Sequence, residues 1–314
     1  MSKIALVGLG LVGRAWAISY ARAGHDVALW DEKAGAADEA LRFADEVLPD
    51  LAAYALLRDP PEAVRARMRA AATLEDALEG AAHVQESAPE DIHVKRHVFI
   101  RLDALAPSSA VLASSTSAIL PSRFTEALKG RGRALVVHPI NPPYLIPAVE
   151  IVPAPWTDAE VVERTTALMR SAGHAPIVMK GEIDGFVMNR LQGALLEEAF
   201  RLVAEGHASV EDVDIGIRDG LALRWAFMGP FETIDLNAPG GVRDYAERYQ
   251  RIYEEIFPSS QWRADWSGPV MDAIEADRRK RLPGDRLSAR QAWRDRRLMA
   301  LAAHKLRAAR EIGE

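Results

Sequence analysis

The sequence contains no cysteine among its 314 residues. This absence excludes a disulfide, a zinc–thiolate site and a catalytic thiol. No apolar run approaches the ~20 residues that a membrane-spanning helix needs. The formal net charge of −6 gives no broad basic surface for nucleic acid or anionic lipid. We therefore expect neither a nucleic-acid nor a membrane partner.

An apolar strand pattern starts almost at the first residue, so we expect no signal peptide and a cytoplasmic protein. Apolar residues make up 49% of the chain, which is enough for sizeable cores. The length favours about two domains.

Residues 1–31 contain a strand, three glycines, a helix, a second strand and an acid, in that order. Gly8 permits a tight turn, Gly10 lets the backbone approach a pyrophosphate, and Gly13 lets helix and strand pack closely. The helix start offers free N–H groups to phosphates. Asp31 can accept hydrogen bonds from ribose hydroxyls and would repel a 2′-phosphate. The pattern predicts binding of NAD rather than NADP, the alternative being a βαβ unit without a ligand.

Strands and helices alternate up to about residue 183, and the rest of the sequence has helical patterns only. We predict an α/β Rossmann-type doubly wound sheet over residues 1–183, followed by an all-α domain over residues 184–314. Ligands of such sheets bind beyond the carboxyl ends of the strands. That edge would carry polar residues that follow predicted strands, namely Glu90, Ser115, Ser117 and His138.

A histidine and a carboxylate form the candidate catalytic pair. His138 ends one predicted strand, and Glu150 follows on what the pattern indicates is the returning strand. A neutral imidazole can take a proton from an alcohol, and a carboxylate on its other nitrogen would fix the tautomer. Ser117 and Asn189 are candidates to bind the substrate oxygen. The alternatives are a satisfied polar histidine, a surface glutamate, a helix-capping serine and a core amide.

Six segments in order along the chain resemble the L-3-hydroxyacyl-CoA dehydrogenase family: GLGLVG, SSTS, VVHPINP, AVEIV, GFVMNRL and MGPFE. The resemblance implies that His138 is the general base and Glu150 its partner. It further implies that Ser117 binds the substrate hydroxyl and that Asn189 helps to hold substrate and histidine. The helical second domain usually forms the dimer interface in this family, so a homodimer is expected.

The same resemblance assigns further residues to the cofactor. Glu90 and Lys95 match the pair near the nicotinamide ribose, and Leu11 and Val12 match residues under the pyrophosphate turn. Ser115, which we also assign to the cofactor site, stands where the acyl-CoA enzymes usually carry asparagine.

A narrower likeness is to the branch of lambda-crystallin and L-gulonate 3-dehydrogenase, carried by QESAPED, HPINPPYLIPAVEIVP and RWAFMGPFETIDLNAPGG. Arg224 and Trp225 stand where acyl-CoA enzymes have a smaller segment, which would narrow the space for a thioester. A guanidinium suits a free carboxylate. We therefore predict NAD-dependent oxidation of a short L-3-hydroxy acid such as gulonate, with Arg224 binding the carboxylate or, alternatively, forming a structural ion pair.

Two other functions remain open on the sequence. The first is an L-3-hydroxyacyl-CoA or carnitine dehydrogenase on the same frame. The second is a non-catalytic, crystallin-like NAD-binding protein. The basic run at residues 277–281 is compatible with a CoA phosphate site, although the surrounding acids favour a solvated helix face or a subunit contact.

Overall fold

The computed structural model describes residues 2–256 and 268–313. Contacts within the chain define two compact units. The first comprises Met1–Asn189 together with Ala292–Glu314, and the second comprises Arg190–Gln291.

An eight-stranded sheet forms the centre of the first unit, with the strand order β3-β2-β1-β4-β5-β6-β7-β8. All neighbouring pairs are parallel except β6 and β7, which are antiparallel. The predicted doubly wound α/β sheet is therefore confirmed. The strands are β1 Lys3–Val7, β2 Asp26–Trp30, β3 Met68–Ala70, β4 His83–Glu86, β5 Val111–Ser114, β6 Ala134–Pro139, β7 Ala148–Pro153 and β8 Ala175–Val178.

Both faces of this sheet are covered by apolar packing. In β1, Ile4 and Leu6 belong to one hydrophobic cluster, whereas Ala5 and Val7 belong to the other. Alternate side chains of a strand point to opposite faces, so an unbroken apolar strand needs helices on both sides. The helices of the first unit are α1 Leu11–Arg22, α2 Ala36–Ala53, α3 Pro61–Ala66, α4 Leu74–Leu78, α5 Ile92–Leu105, α6 Ser122–Thr125 and α7 Ala159–Ser171.

Every regular element in the described residues of the second unit, 190–256 and 268–291, is a helix. A π-helical turn over Gly216–Leu221 leads directly into a short helix. In the part of the chain that the structure describes, no helix is long and apolar enough to cross a membrane. The remaining helices are α8 Met188–Ala204, α9 Val210–Ile215, α10 Ala222–Trp225, α11 Pro230–Leu236, α12 Gly241–Ile256, α13 Pro269–Arg281 and α14 Leu287–Ile312.

The end of the chain packs with the first unit. Met299 of α14 is 2% exposed and lies in the cluster that contains Ile4 and Leu6. The Tyr144 hydroxyl lies 3.4 Å from Asp295 Oδ2. The first compact unit ends at Asn189 and also includes the end of the chain, whereas the sequence predicts a division between residues 183 and 184. The predicted division into domains stays a prediction.

Candidate active site

The antiparallel pairing of β6 and β7 places His138 opposite Glu150. His138 Nδ1 lies 2.6 Å from Glu150 Oε2. Both side chains are buried, His138 at 7% and Glu150 at 0% exposure. The expected returning strand is therefore present, and its register alone brings the imidazole and the carboxylate together.

The second oxygen of Glu150 binds the backbone just before α8. Glu150 Oε1 accepts hydrogen bonds from the N–H groups of Val187, at 2.6 Å, and Met188, at 2.8 Å. Phe186 precedes them with φ of 51°, and its buried ring packs 5.6 Å from the His138 ring. A left-handed conformation costs a non-glycine residue free energy, so surrounding contacts must hold this turn in place.

Burial raises the pKa of the Glu150 carboxyl, but the hydrogen bonds from His138, Met188 and Val187 outweigh it and leave the pKa below its usual value. An ionised carboxylate accepts hydrogen bonds only. The hydrogen shared with His138 must therefore reside on Nδ1, which leaves Nε2 with a free lone pair. This tautomer is the one that a general base requires.

Asn189 and Ser117 are brought together in the first unit. Asn189 Nδ2 donates to the backbone carbonyl of Ser117 at 2.7 Å. The Ser117 N–H donates to Glu90 Oε1 at 3.0 Å, and the Ser117 hydroxyl lies 3.4 Å from the same oxygen. Thr116 Oγ1, not Ser117, accepts from the following backbone N–H of Ile119 at 3.0 Å. The alternative of Ser117 as the helix-capping residue is therefore wrong.

Lys95 has a closer partner than the one that the resemblance gives it. It is 1% exposed, and its ammonium lies 2.8 Å from Glu86 Oε1 but 3.8 Å from Glu90 Oε2. Burial raises the pKa of the Glu86 carboxyl, an effect that Lys95 and the Ser114 hydroxyl oppose. Sequence reasoning missed Glu86 because a carboxylate inside a predicted strand carries no pattern that distinguishes it from a surface charge.

The glycine turn has the geometry that a dinucleotide needs. Gly8 has φ of +90°, and a Cβ on Gly13 would lie 1.9 Å from the Gly8 carbonyl oxygen, so neither position tolerates a side chain. No atom lies within 4 Å of a Cβ placed on Gly10 among the described residues. Helix α1 begins at Leu11, so the free N–H groups of its first turn, which includes Val12, open onto the glycine turn.

A cavity of about 500 Å³ lies against the turn and includes Gly8, Gly10, Asp31, Ser87 and Arg101 in its lining. Asp31 Oδ2 accepts from the Leu9 N–H at 2.7 Å. Each carboxylate oxygen has more than one acceptor site, so Asp31 retains capacity for ribose hydroxyls. The residues present thus fit the dinucleotide predicted from the sequence.

Ser115 lies at the carboxyl end of β5, as expected, but its hydroxyl is used within the protein. Its Oγ lies 3.1 Å from Trp16 Nε1, 2.7 Å from Gln85 Nε2 and 2.9 Å from Ser87 Oγ. Its assigned direct contact with the cofactor stays a prediction.

Arg224 lies in α10 of the second unit and is half-buried. Its Nη1 lies 3.4 Å from Asn237 Oδ1, and among the described residues no carboxylate pairs with it. In the basic run of α13, by contrast, Arg278 pairs with Asp214, and Arg281 pairs with Glu211 and Asp277. Arg224 therefore has no carboxylate partner among the described residues, a property that it shares with Arg243, Arg279 and Lys280 of the same unit.

A dinucleotide turn at the head of a doubly wound sheet, with a histidine near the carboxyl end of β6 that pairs with a carboxylate on the antiparallel β7, is the arrangement expected of an NAD-dependent dehydrogenase of hydroxyl groups. The model for the NAD-binding domain of 3-hydroxyacyl-CoA dehydrogenase matches residues 3–183, and that for its C-terminal domain matches residues 185–269. The chain belongs to the 3-hydroxyacyl-CoA dehydrogenase family. This result favours the enzyme over the non-catalytic alternative.

Known relatives match most of the chain. A lambda-crystallin homolog from Bos taurus is 40% identical over 306 residues, which cover 96% of this chain and 95% of that protein. An L-carnitine dehydrogenase from Streptomyces griseus is 39% identical over 248 residues, covering 79% of this chain and 73% of that protein. The structure of a 5-formyl-3-hydroxy-2-methylpyridine 4-carboxylic acid 5-dehydrogenase, an NAD⁺-dependent dismutase, has a TM-score of 0.82 at 27% identity and covers 100% of both chains.

Proposed function

We propose that the chain oxidises the 3-hydroxyl of a short L-3-hydroxy acid with a free carboxylate, such as L-gulonate, to the 3-keto acid. The observation that carries the chemical step is the contact of His138 Nδ1 with Glu150, which leaves Nε2 as a proton acceptor. His138 is the general base in this proposal, and Glu150 stabilises the imidazolium that forms.

The reaction balances with one proton and one hydride. His138 Nε2 takes the hydroxyl proton, the C–O bond becomes a carbonyl, and the hydrogen on that carbon leaves with its electron pair. Bound NAD⁺ supplies the acceptor for that hydride. The Ser117 hydroxyl and the Asn189 amide hold the substrate oxygen in this proposal. The Asn189–Ser117 contact supports their joint role, because it holds the Asn189 side chain against the Ser117 backbone.

Two lines of support favour a free carboxylate over a thioester. The carnitine relative and the methylpyridine 4-carboxylic acid relative both act on small molecules that carry a carboxylate. Arg224 supplies a guanidinium with no carboxylate partner among the described residues, and such a group binds a carboxylate through two parallel hydrogen bonds. The second candidate is a carnitine or 3-hydroxyacyl-CoA dehydrogenase, which the family and the carnitine relative favour.

A substrate panel tests this choice. NADH formation would be measured with L-gulonate, L-3-hydroxybutyrate, L-carnitine and L-3-hydroxybutyryl-CoA under identical conditions. We expect kcat/KM for gulonate to exceed that for the CoA thioester by at least about tenfold, since binding a matched charge contributes ~1.5–3 kcal/mol. A higher value for the thioester would contradict the proposal of a free carboxylate, whereas a higher value for carnitine, itself a 3-hydroxy acid with a free carboxylate, would contradict only the choice of gulonate.

Replacing Arg224 tests the carboxylate clamp directly. In Arg224→Ala we expect KM for gulonate to rise roughly ten- to a hundredfold with a smaller change in kcat, because a charge-assisted contact to substrate is lost. Arg251→Ala is a matched control, since Arg251 lies on the exposed face of α12 with its side chain 88% exposed. An unchanged kcat/KM in Arg224→Ala would remove this residue from the substrate site.

The homodimer and the cytoplasmic location stay predictions. The second unit presents exposed apolar side chains that support an interface with a second copy of the chain. They include Leu223, Phe227, Phe231 and Leu236.

A further inference from the structure

A chain of buried hydrogen bonds runs from β4 towards the cofactor cavity, and its direction is fixed at Gln85. Gln85 Nε2 lies 3.3 Å from the Val137 carbonyl oxygen, and Gln85 is 0% exposed. A backbone carbonyl only accepts, so the amide nitrogen must face it. The same nitrogen donates to Ser115 Oγ at 2.7 Å.

The other end of the Gln85 amide agrees with this orientation. Gln85 Oε1 lies 3.1 Å from the Tyr20 hydroxyl and 3.1 Å from His83 Nε2. Burial lowers the pKa of His83 to about 4, so its imidazole is neutral and carries one hydrogen. Within the described residues His83 Nδ1 has no partner, which places that hydrogen on Nε2 as a donor to Gln85.

Ser115 receives two donors and can therefore donate in only one direction. Trp16 Nε1 lies 3.1 Å from Ser115 Oγ, and an indole nitrogen only donates. The hydrogen bonds from Trp16 and Gln85 together use both lone pairs of the Ser115 oxygen. The Ser115 proton must point to its remaining neighbour, Ser87 Oγ, at 2.9 Å.

Ser87 consequently accepts from Ser115, and its own proton is left to donate elsewhere. Ser87 lines the cavity beside the glycine turn, where a Cβ on Gly13 would lie 3.5 Å from the Ser87 Cβ. No second hydrogen bond of the Ser87 hydroxyl is found within residues 2–256 and 268–313. The oxygens of a diphosphate accept hydrogen bonds and never donate them, so they match a group that is held as a donor.

We propose that the Ser87 hydroxyl donates a hydrogen bond to an oxygen of the ADP-ribose half of NAD, next to the glycine turn. Trp16, Gln85 and Ser115 are positioning residues that hold it in this polarity. The proposal depends on dinucleotide binding, which the family shows, and not on the identity of the hydroxy acid. A wrong substrate assignment would therefore leave it intact.

The test is an affinity measurement without turnover. The Kd of NADH would be measured by the change in its fluorescence, and that of ADP-ribose by calorimetry, for the wild type and Ser87→Ala. We expect both Kd values to rise roughly tenfold, because the variant loses one hydrogen bond to a charged or strongly polar acceptor. Ser108→Ala, in an exposed turn after α5, is the matched control and should bind both ligands as the wild type does.

A Ser87→Ala protein that binds NADH within twofold of the wild type would overturn the proposal. A loss with NADH but not with ADP-ribose would overturn it too, because the bond would then reach the nicotinamide half.

The positioning role of Ser115 is tested by combining variants. Ser115→Ala should weaken NADH binding less than Ser87→Ala does, because Ser87 keeps its hydroxyl but loses its imposed direction. The double variant should bind NADH no more weakly than Ser87→Ala alone, since Ser115 acts through Ser87. Losses that simply add would overturn the polarity argument and indicate that Ser115 contacts the cofactor itself.

Discussion

The His138→Asn variant is expected to lose roughly a thousandfold in kcat for the oxidation of the hydroxy acid, while the Kd of NADH stays within twofold of the wild type. An asparagine amide can still donate to Glu150 Oε2, which lies 2.6 Å from His138 Nδ1 in the native chain. The substitution removes Nε2, the proposed proton acceptor, and general-base catalysis contributes about two to four orders of magnitude in rate.

The control separates a lost base from a damaged fold. His207→Asn changes a histidine of the second unit whose side chain is 65% exposed, and it should leave kcat unchanged. A His138→Asn variant that keeps full activity would show that His138 is not the base and would leave the proposed mechanism without a proton acceptor.

The first unit was largely predictable from the sequence because its local patterns and its packing agree. The apolar strand at Ile4 to Val7, the glycine turn and Asp31 are each recognisable within a few residues. The edge strand Met68–Ala70 was missed because three residues with one buried side chain carry no periodic signal. The packing of residues 292–314 with the first unit was missed for another reason. An amphipathic helix indicates that one face is covered but does not identify what covers it.

The geometry of the candidate site was most predictable where its residues lie on paired strands. His138 and Glu150 could be placed together because a strand and its return bring such residues into register. The backbone donors at Val187 and Met188 depend on the left-handed conformation of Phe186, which a sequence without a glycine at that position does not reveal. The polarity of the Gln85–Ser115–Ser87 chain was equally hidden, because it depends on distances between three strands and a helix.

These hidden contacts have a common effect on the residues that the sequence did reveal. Glu150 is held by the turn before α8, and Lys95 is held by Glu86. In both cases the charged group cannot move without the loss of a buried hydrogen bond. Glu150 and Lys95, which the sequence reveals, are expected to serve the site directly. Glu86 and the backbone of Val187 and Met188, which the sequence does not reveal, hold them in place.

The Glu150→Gln variant is expected to lose roughly a thousandfold in kcat, although it is nearly isosteric. The N–H groups of Val187 and Met188 donate to Glu150 Oε1, so the glutamine oxygen will face them. Its NH₂ group then faces His138 Nδ1 and can only donate. The imidazole must accept at Nδ1 and carry its hydrogen on Nε2, which is the wrong tautomer for a base. The opposite amide orientation would set NH₂ against two backbone donors.

A matched control and a stability measurement accompany this variant. Glu160→Gln changes an 81% exposed carboxylate of α7 and should retain wild-type activity. Because folding lowers the pKa of Glu150, its charge stabilises the native state above the unfolded-state pKa of ~4.3, and that stabilisation is lost as the pH falls through the lower folded-state pKa. The difference in unfolding free energy between wild type and Glu150→Gln, measured in urea, should therefore shrink from pH 7 towards acid. A constant difference, together with undiminished turnover, would mean that this carboxylate neither holds the tautomer of His138 nor bears a charge that the fold stabilises.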